Sequence, residues 1–122
     1  MADNKQYVTQ LQENGKVLIS EDVIAAIVEH TVNDVEGVSG LAGKPGGDIA
    51  EIIGKKNWGK GIKVQIAEND ALSIVCNITV RYGESVVCVA NAVQESVTNA
   101  LESMAGVIVS NVDVNVCGII RG

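Results

Sequence analysis

The stretch that most constrains the fold of this 122-residue chain runs from residue 71 to residue 82. Every second position from 72 to 82 is apolar or aromatic, and mostly polar residues fill the places between them. A period of two over this length predicts a β-strand with one buried face. Residues 62–66 repeat the alternation upstream, and the polar turn at 68–71 between the two runs predicts an antiparallel hairpin.

Two other segments change to a helical period. Ser20 is a good N-cap, and the apolar residues of 21–35 recur at positions three and four apart. A second such stripe follows Ser85 and continues for about five turns to Met104. Gly37 and Gly106 are placed to end these helices. The sequence therefore predicts two amphipathic helices, each packing its apolar stripe against the strands.

The remaining segments complete the predicted order. Residues 17–19 are a short strand candidate, and a last strand follows the second helix. On that strand we expect one face to carry Ile108, Val112, Val114 and Val116, with Cys117 pointing the other way.

The fold class follows from the order β-α-(loop)-β-β-α-β. It predicts a small α+β domain in which two main helices pack on one face of a mostly antiparallel sheet. We assign this single domain to residues 15–120. Residues 1–14 are polar and lack sustained periodicity, so we expect them to form a mobile N-terminal tail.

Composition narrows the classes of function. The net charge of −6 argues against general binding to nucleic acid or to anionic lipid, because both favour a basic surface. No run approaches the roughly 20 apolar residues of a membrane span, and the polar start lacks the apolar stretch of a secretory signal. Cys76, Cys88 and Cys117 are odd in number and widely spaced, which favours a reducing cytoplasm and thiols that act as small hydrophobes.

The segment GKPGGDIAEIIGKKNWGKGIKV, residues 43–64, is the one stretch that looks like a binding loop. It lacks the G-x-x-x-x-G-K-[ST] spacing of a phosphate-binding loop. GKPG at 43–46 fits the bare G-x-x-G pattern of a KH nucleic-acid module, but after Gly54 the second glycine is replaced by Asn57. The segment also leads into a strand, whereas a KH loop leads into a helix. We prefer surface lysines beside a loop and keep a KH-like nucleic-acid-binding module as an alternative.

No catalytic, cofactor-binding or metal-binding site can be assembled from the sequence. His30 is the only histidine, and it lies between the apolar positions of the first helix, where we expect a solvated side chain. There is no C-x-x-C pair, and the thiols share no ligand spacing with this histidine. Glu21 and Asp22 are explained by the positive end of a helix dipole. We therefore predict a protein that is not an enzyme and needs no cofactor.

Several motifs in a fixed order resemble one family. They are ISEDVIAAIVEHTVNDVEGVSGL (19–41), GKKNWGKGIKVQI (54–66), ITVRYG (78–83) and VANAVQESVTNALESMAGVIVSNVDVNVCGI (89–119). Together they cover nearly all of the predicted domain and resemble the alkaline shock protein family, the envelope stress response proteins of Gram-positive bacteria. The chain differs from the family pattern in Trp58 and in its three cysteines.

The resemblance implies a non-enzymatic stress-response protein at the inner face of the cell membrane. It implies self-association and docking to a membrane-anchored partner in support of cell-envelope homeostasis, without direct membrane insertion and with no DNA or RNA expected. An accessory role to a fatty-acid kinase system is a further alternative. From the residues themselves we name one possible partner-contact patch, made of Lys55, Lys56, Trp58 and Lys60.

Overall fold

The computed structural model describes residues 7–42 and 61–121, and the α+β class predicted from the sequence is confirmed within them. The elements of the described residues are β1 (Tyr7–Gln12), β2 (Gly15–Ser20), α1 (Glu21–Asp34), β3 (Val38–Leu41), β4 (Ile62–Ile66), β5 (Ala71–Arg81), α2 (Val86–Met104) and β6 (Ile108–Ile120). The predicted helices and the predicted hairpin of β4 and β5 are present.

Both helices begin at the serines that the sequence suggested. The Ser20 hydroxyl accepts a hydrogen bond from the backbone N–H of Val23, at 3.3 Å. The Ser85 hydroxyl accepts in the same way from Cys88, also at 3.3 Å. Each bond satisfies one of the backbone donors that a helix leaves unpaired in its first turn.

The long strand β5 lies at the centre of the main sheet. β6 pairs with one edge of β5 in parallel, after the crossover through α2. β4 pairs antiparallel with the first half of the other edge, and β3 pairs antiparallel with the second half of that same edge. The strand β3 was not predicted, because it is only four residues long and contains a glycine.

β3 and β4 meet end to end beside Asn77. The Ala42 N–H donates to the Asn77 carbonyl, and the Asn77 N–H donates to the Gly61 carbonyl, both at 2.8 Å. Gly61 has a φ of +78°, and a Cβ at this position would overlap the carbonyl oxygen of Ala42. We call this contact the Ala42–Gly61 junction. β3 and β4 are therefore one edge strand in two pieces, with residues 43–60 inserted between them.

The first two strands correct the predicted tail. Residues 7–12 form strand β1, which pairs antiparallel with β2 around a tight turn at Glu13 and Asn14. The side chain of Val8 is fully buried in the core. The expectation of a mobile tail is thus wrong from Tyr7 to Gln12, because pairing with β2 and burial of Val8 hold that segment in place.

One core joins the two helices to one face of the main sheet. α1 and α2 contact each other, and each also contacts strands of the sheet. The alternating apolar residues of β5 are almost all fully buried against them, as predicted from the period of two. The fully or nearly fully buried helix residues are Ile24, Val28 and Val32 of α1 and Val89, Val93, Val97 and Leu101 of α2.

The prediction for one residue of the last strand is wrong. Ile108 is 70% exposed, and Val109 packs against the core instead. The β5–β6 register contains an extra β6 residue at Ser110, between the pairs Leu72 with Val109 and Ser73 with Asn111. Such a bulge exchanges the two faces of a strand on either side of it. Strict alternation from Val112 back to Ile108 therefore fails.

Candidate interaction surfaces

The predicted contact patch cannot be placed on the fold. Lys55, Lys56, Trp58 and Lys60 lie outside the described residues, as does the glycine-rich part of the segment between 43 and 60. Only its end, Gly61 to Val64, is described, and that part enters β4. The patch therefore stays a prediction.

His30 occupies the solvated position expected from the helix pattern. Its side chain is 83% exposed on α1, and Nε2 lies 3.5 Å from Oδ2 of Asp34, one turn along the same helix. A general base needs a neighbouring nucleophile or substrate group to act on. The contact with Asp34 is that of an exposed helical pair, which contributes little to stability.

The three cysteines are free thiols in different surroundings. Cys76 lies on the buried face of β5, and loss of solvation raises the pKa of its thiol to about 12. Cys88 on α2 and Cys117 on β6 are exposed, so the expectation that all three act as small hydrophobes is wrong for these two. Cys88 lies next to the buried stripe of α2. Cys117 is the bulged residue of β6, because Ile78 pairs with Val116 and Thr79 pairs with Gly118, which leaves Cys117 without a partner in the register.

A shallow cavity of about 440 Å³ lies between the end of α1 and the start of α2. Cys88 is in its lining, with two carboxylates of Glu36 and Glu84 and the apolar side chains of Val35 and Val89. None of the lining residues that the structure describes is a histidine, lysine or arginine. The described lining therefore combines one thiol with two carboxylates. Across the described residues no three His, Cys, Asp or Glu side chains are grouped as metal ligands would be.

The β1–β2 hairpin carries an apolar face that points away from the core. In the antiparallel register Thr9 pairs with Leu18 and Leu11 pairs with Lys16, so these side chains share one face with Tyr7. Leu11 is 82% exposed, and about half of Tyr7 and of Leu18 is exposed. We call Tyr7, Leu11 and Leu18 the outer hairpin face.

Two hydrogen bonds connect the hairpin to distant parts of the domain. The Thr9 N–H donates to Oδ1 of Asp70 in the β4–β5 turn, at 3.2 Å. The Gln10 side-chain amide donates to the carbonyl of Gly106 at 2.8 Å, just past the end of α2. The outer hairpin face is therefore presented by a fixed backbone. Sequence reasoning missed it, although Asn14-Gly15 between two short β-forming runs is a hairpin signal.

β6 forms the opposite edge of the main sheet. It pairs with β5 over its whole length, and no other strand of the described residues pairs with its second side. We call that second side the open edge of β6. Its polar face meets β5 in two side-chain hydrogen bonds, from Ser73 to Asn111 at 3.0 Å and from Asn115 to Asn77 at 2.9 Å. The Asn77 carboxamide is fully buried, and none of the residues in 7–42 and 61–121 accepts a hydrogen bond from its nitrogen.

No helix among the described residues is long and apolar enough to cross a membrane. The surfaces that remain as candidates are the outer hairpin face, the open edge of β6 and the cavity between the helices. Two of these three offer backbone or apolar groups rather than reactive side chains. They are suited to contacts with other proteins.

Comparison with known proteins agrees with this reading of the sequence. Residues 9–121 match the profile of the alkaline shock protein 23 (ASP23) family, which is described by a cell envelope-related function. The uncharacterized protein YqhY of Bacillus subtilis is 33% identical over 105 residues, which cover 86% of this chain and 77% of that protein. The uncharacterized protein Spy1535 of Streptococcus pyogenes is 31% identical over 106 residues, covering 87% of this chain and 80% of its own length.

A third relative gives the same result. The uncharacterized protein YloU of Bacillus subtilis is 31% identical over 107 residues, which cover 86% of this chain and 88% of that protein. No solved structure matches the chain. The family match extends over almost the whole described fold, from β1 to the end of β6. The chain therefore belongs to the alkaline shock protein 23 family, whose function is related to the cell envelope.

Proposed function

We propose that this chain is a non-enzymatic protein that self-associates and docks to a membrane-anchored partner at the cytoplasmic face of the cell membrane. In this role it supports cell-envelope homeostasis during stress. The envelope-related function of the family supports the setting.

The outer hairpin face is the observation that carries the proposal. Leucine and tyrosine side chains exposed together on a fixed backbone lose little conformational freedom when a partner covers them. Exposed apolar groups of this kind mark protein interaction sites. The net charge of −6 disfavours direct attraction to anionic lipid, so membrane association through a protein fits the chain better.

An in-cell crosslinking pull-down of the tagged chain tests this function, with captured protein and nucleic acid both identified. We expect one dominant membrane protein, and we expect its recovery to fall when Leu11 and Leu18 are both replaced by serine. Val87→Ser is the matched control, because Val87 is 68% exposed on α2, away from the hairpin. That variant should capture the partner as the wild type does.

Two results would contradict the proposal. Recovery of RNA without a membrane protein would favour the KH-like alternative. Full partner capture by the double serine variant would remove the outer hairpin face from the interface. The predicted patch is tested separately by Trp58→Ala and by charge reversal at Lys55, Lys56 and Lys60. If these changes leave self-association and partner capture unaltered, that patch is wrong.

A further inference from the structure

Among the described residues no strand covers the open edge of β6. Natural proteins protect such edges with lysines, prolines, inward-pointing charges, bulges or a covering helix or loop, and of these β6 has two bulges near its ends. Between Ile108 and Ile120 the only charged residue is Asp113, and there is no proline. The register with β5 is unbroken from Asn111 to Val116, and the extra residues Ser110 and Cys117 lie on either side of it. Six regular residues are thus available for pairing with another strand.

The directions of the backbone groups in this stretch can be worked out from two contacts. The Ile120 carbonyl accepts from the Tyr82 N–H, at 2.8 Å, so Ile120 faces β5. Backbone groups alternate between the two sides of a strand, and the extra residue at Cys117 reverses the alternation once. Counting back from Ile120, the N–H and C=O groups of Val112, Val114 and Val116 face the open edge.

A side-chain contact agrees with this assignment. The Gln94 amide on α2 donates to the Val112 carbonyl, at 2.9 Å. A carbonyl that takes a bond from a helix side chain in this way is one that faces away from β5. This carbonyl already has one partner, so an added strand must use its second lone pair or displace Gln94.

The sequence of this stretch is complementary to itself. If a second copy runs antiparallel with Val114 opposite Val114, then Val112 lies opposite Val116 and Asp113 lies opposite Asn115. The residues that face the open edge then meet one another, so every pair can exchange backbone hydrogen bonds. Valines cover valines on the core side, and no two carboxylates are opposed on the polar side.

We infer that two copies of this chain associate through the open edges of β6, antiparallel and centred on Val114. The pairing joins the two main sheets into one continuous sheet across a two-fold axis. Because the pairing occupies the open edge of both copies, the assembly is limited to a dimer. The inference rests on the proposed self-association and assigns it to one surface.

The net charge of the chain predicts how the affinity of the dimer depends on salt concentration. Each copy carries a net charge of −6, and the paired stretch adds no basic group. The two copies therefore repel each other over their surfaces while the strands attract. Added salt screens the repulsion, so the dimer should become tighter as salt increases. An interface built on opposite charges would weaken instead.

Backbone amide hydrogen exchange on the wild-type chain tests the register without any substitution. At a concentration about fifty times the dissociation constant, a tenth of the chain is monomeric, so exchange at Val112, Val114 and Val116 should slow about tenfold relative to dilute protein. Asp113 and Asn115, which face β5, should be protected equally at both concentrations. Sedimentation of the same samples reports the association state.

A disulfide gives a second and independent readout. Opposite residues of a hydrogen-bonded antiparallel pair have Cα atoms about 5.5 Å apart, within the range that a disulfide spans. In a background in which Cys88 and Cys117 are serine, Val114→Cys should therefore link two copies under mild oxidation. The control Asn99→Cys, in an exposed position on α2, should not.

The outcomes separate this inference from the proposed function. A dimer with protected valine amides and a Val114→Cys link supports both. A dimer whose β6 amides exchange as fast as in dilute protein overturns the β6 pairing and leaves self-association in place. A chain that stays monomeric at every concentration and salt overturns both self-association and the pairing, whereas partner capture through the hairpin would still stand.

Discussion

Replacing Gly61 by alanine tests the Ala42–Gly61 junction directly. With φ at +78°, an L side chain at this position costs about 1–2 kcal/mol of strain. The added Cβ would also overlap the Ala42 carbonyl oxygen and lie 3.2 Å from the carbonyl oxygen of Asn77. The strand ends must then separate, which weakens two hydrogen bonds to Asn77 worth about 0.5–1.5 kcal/mol each. We expect the free energy of unfolding to fall by about 3 kcal/mol.

Gly106→Ala is the matched control. Gly106 has a similar φ of +66°, but a Cβ there has no atom within 4 Å. Strain alone acts in this variant, and it is partly offset because alanine restricts the unfolded chain, so a loss of about 1 kcal/mol is expected. The difference between the two variants, about 2 kcal/mol, isolates the close approach of Ala42 and Gly61.

Urea unfolding followed by far-UV circular dichroism measures both losses at one protein concentration. Equal m-values in the two variants would show that the midpoints report stability. If Gly61→Ala falls within about 0.5 kcal/mol of Gly106→Ala, the junction is not a tight contact and the reasoning is refuted.

Three further predictions concern the core, the buried thiol and the polar pair on the sheet. Leu101→Ala should lower the free energy of unfolding by about 2–5 kcal/mol, because Leu101 is fully buried, whereas exposed Met104→Ala should change it by less than about 0.5 kcal/mol in the same urea assay. Burial raises the pKa of the Cys76 thiol from 9.0 to about 12, so this thiol ionises at lower pH in the unfolded chain than in the folded one. The free energy of unfolding should therefore be unaffected by this group below pH 9 and should fall as the pH rises towards 12. In Cys76→Ala this part of the pH dependence, measured by urea unfolding at a series of pH values, should be absent. Asn115→Ala removes the hydrogen bond that the Asn115 amide donates to the buried Asn77 carboxamide, so the free energy of unfolding should fall by about 1–3 kcal/mol in a thermal unfolding measurement. No loss would show that water replaces this bond.

Periodicity predicted the parts of the fold in which one face is buried. The alternation in β5 and most of the helical stripe of α2 follow directly from burial, because these apolar positions meet the core. Met104, at the end of the predicted stripe, is the exception and is 69% exposed. The serine caps at Ser20 and Ser85 were predictable for a different reason, because each satisfies a backbone N–H group three residues further along the chain. Local rules of this kind do not depend on knowing the tertiary structure.

The parts that were missed depend on distant contacts. β1 was missed because Val8 is its only fully buried residue, so its sequence lacks a run of alternating apolar positions. The hydrogen bonds of Thr9 and Gln10 are made to residues far along the chain, which a local pattern does not reveal. The face of Ile108 depends on a bulge that is defined by the register with β5, which no local pattern reveals.

The candidate surfaces were only partly predictable. The strands could be predicted from the sequence, but which strand edge stays open depends on the order of the strands in the folded sheet. The parallel addition of β6 leaves its second side open, while β3 and β4 cover the other edge of β5. The outer hairpin face could have been found from Asn14-Gly15, had residues 7–12 been read as a strand.

The Ala42–Gly61 junction also has a consequence for how this family can vary. Because Ala42 and Gly61 are both hydrogen-bonded to Asn77, the described backbone bonds beside β5 continue from β4 into β3 without a gap. At this junction the chain leaves the sheet after Ala42 and returns to it at Gly61, and both points are fixed by hydrogen bonds to Asn77. We expect segments of other lengths and compositions to be exchanged there with the sheet register preserved.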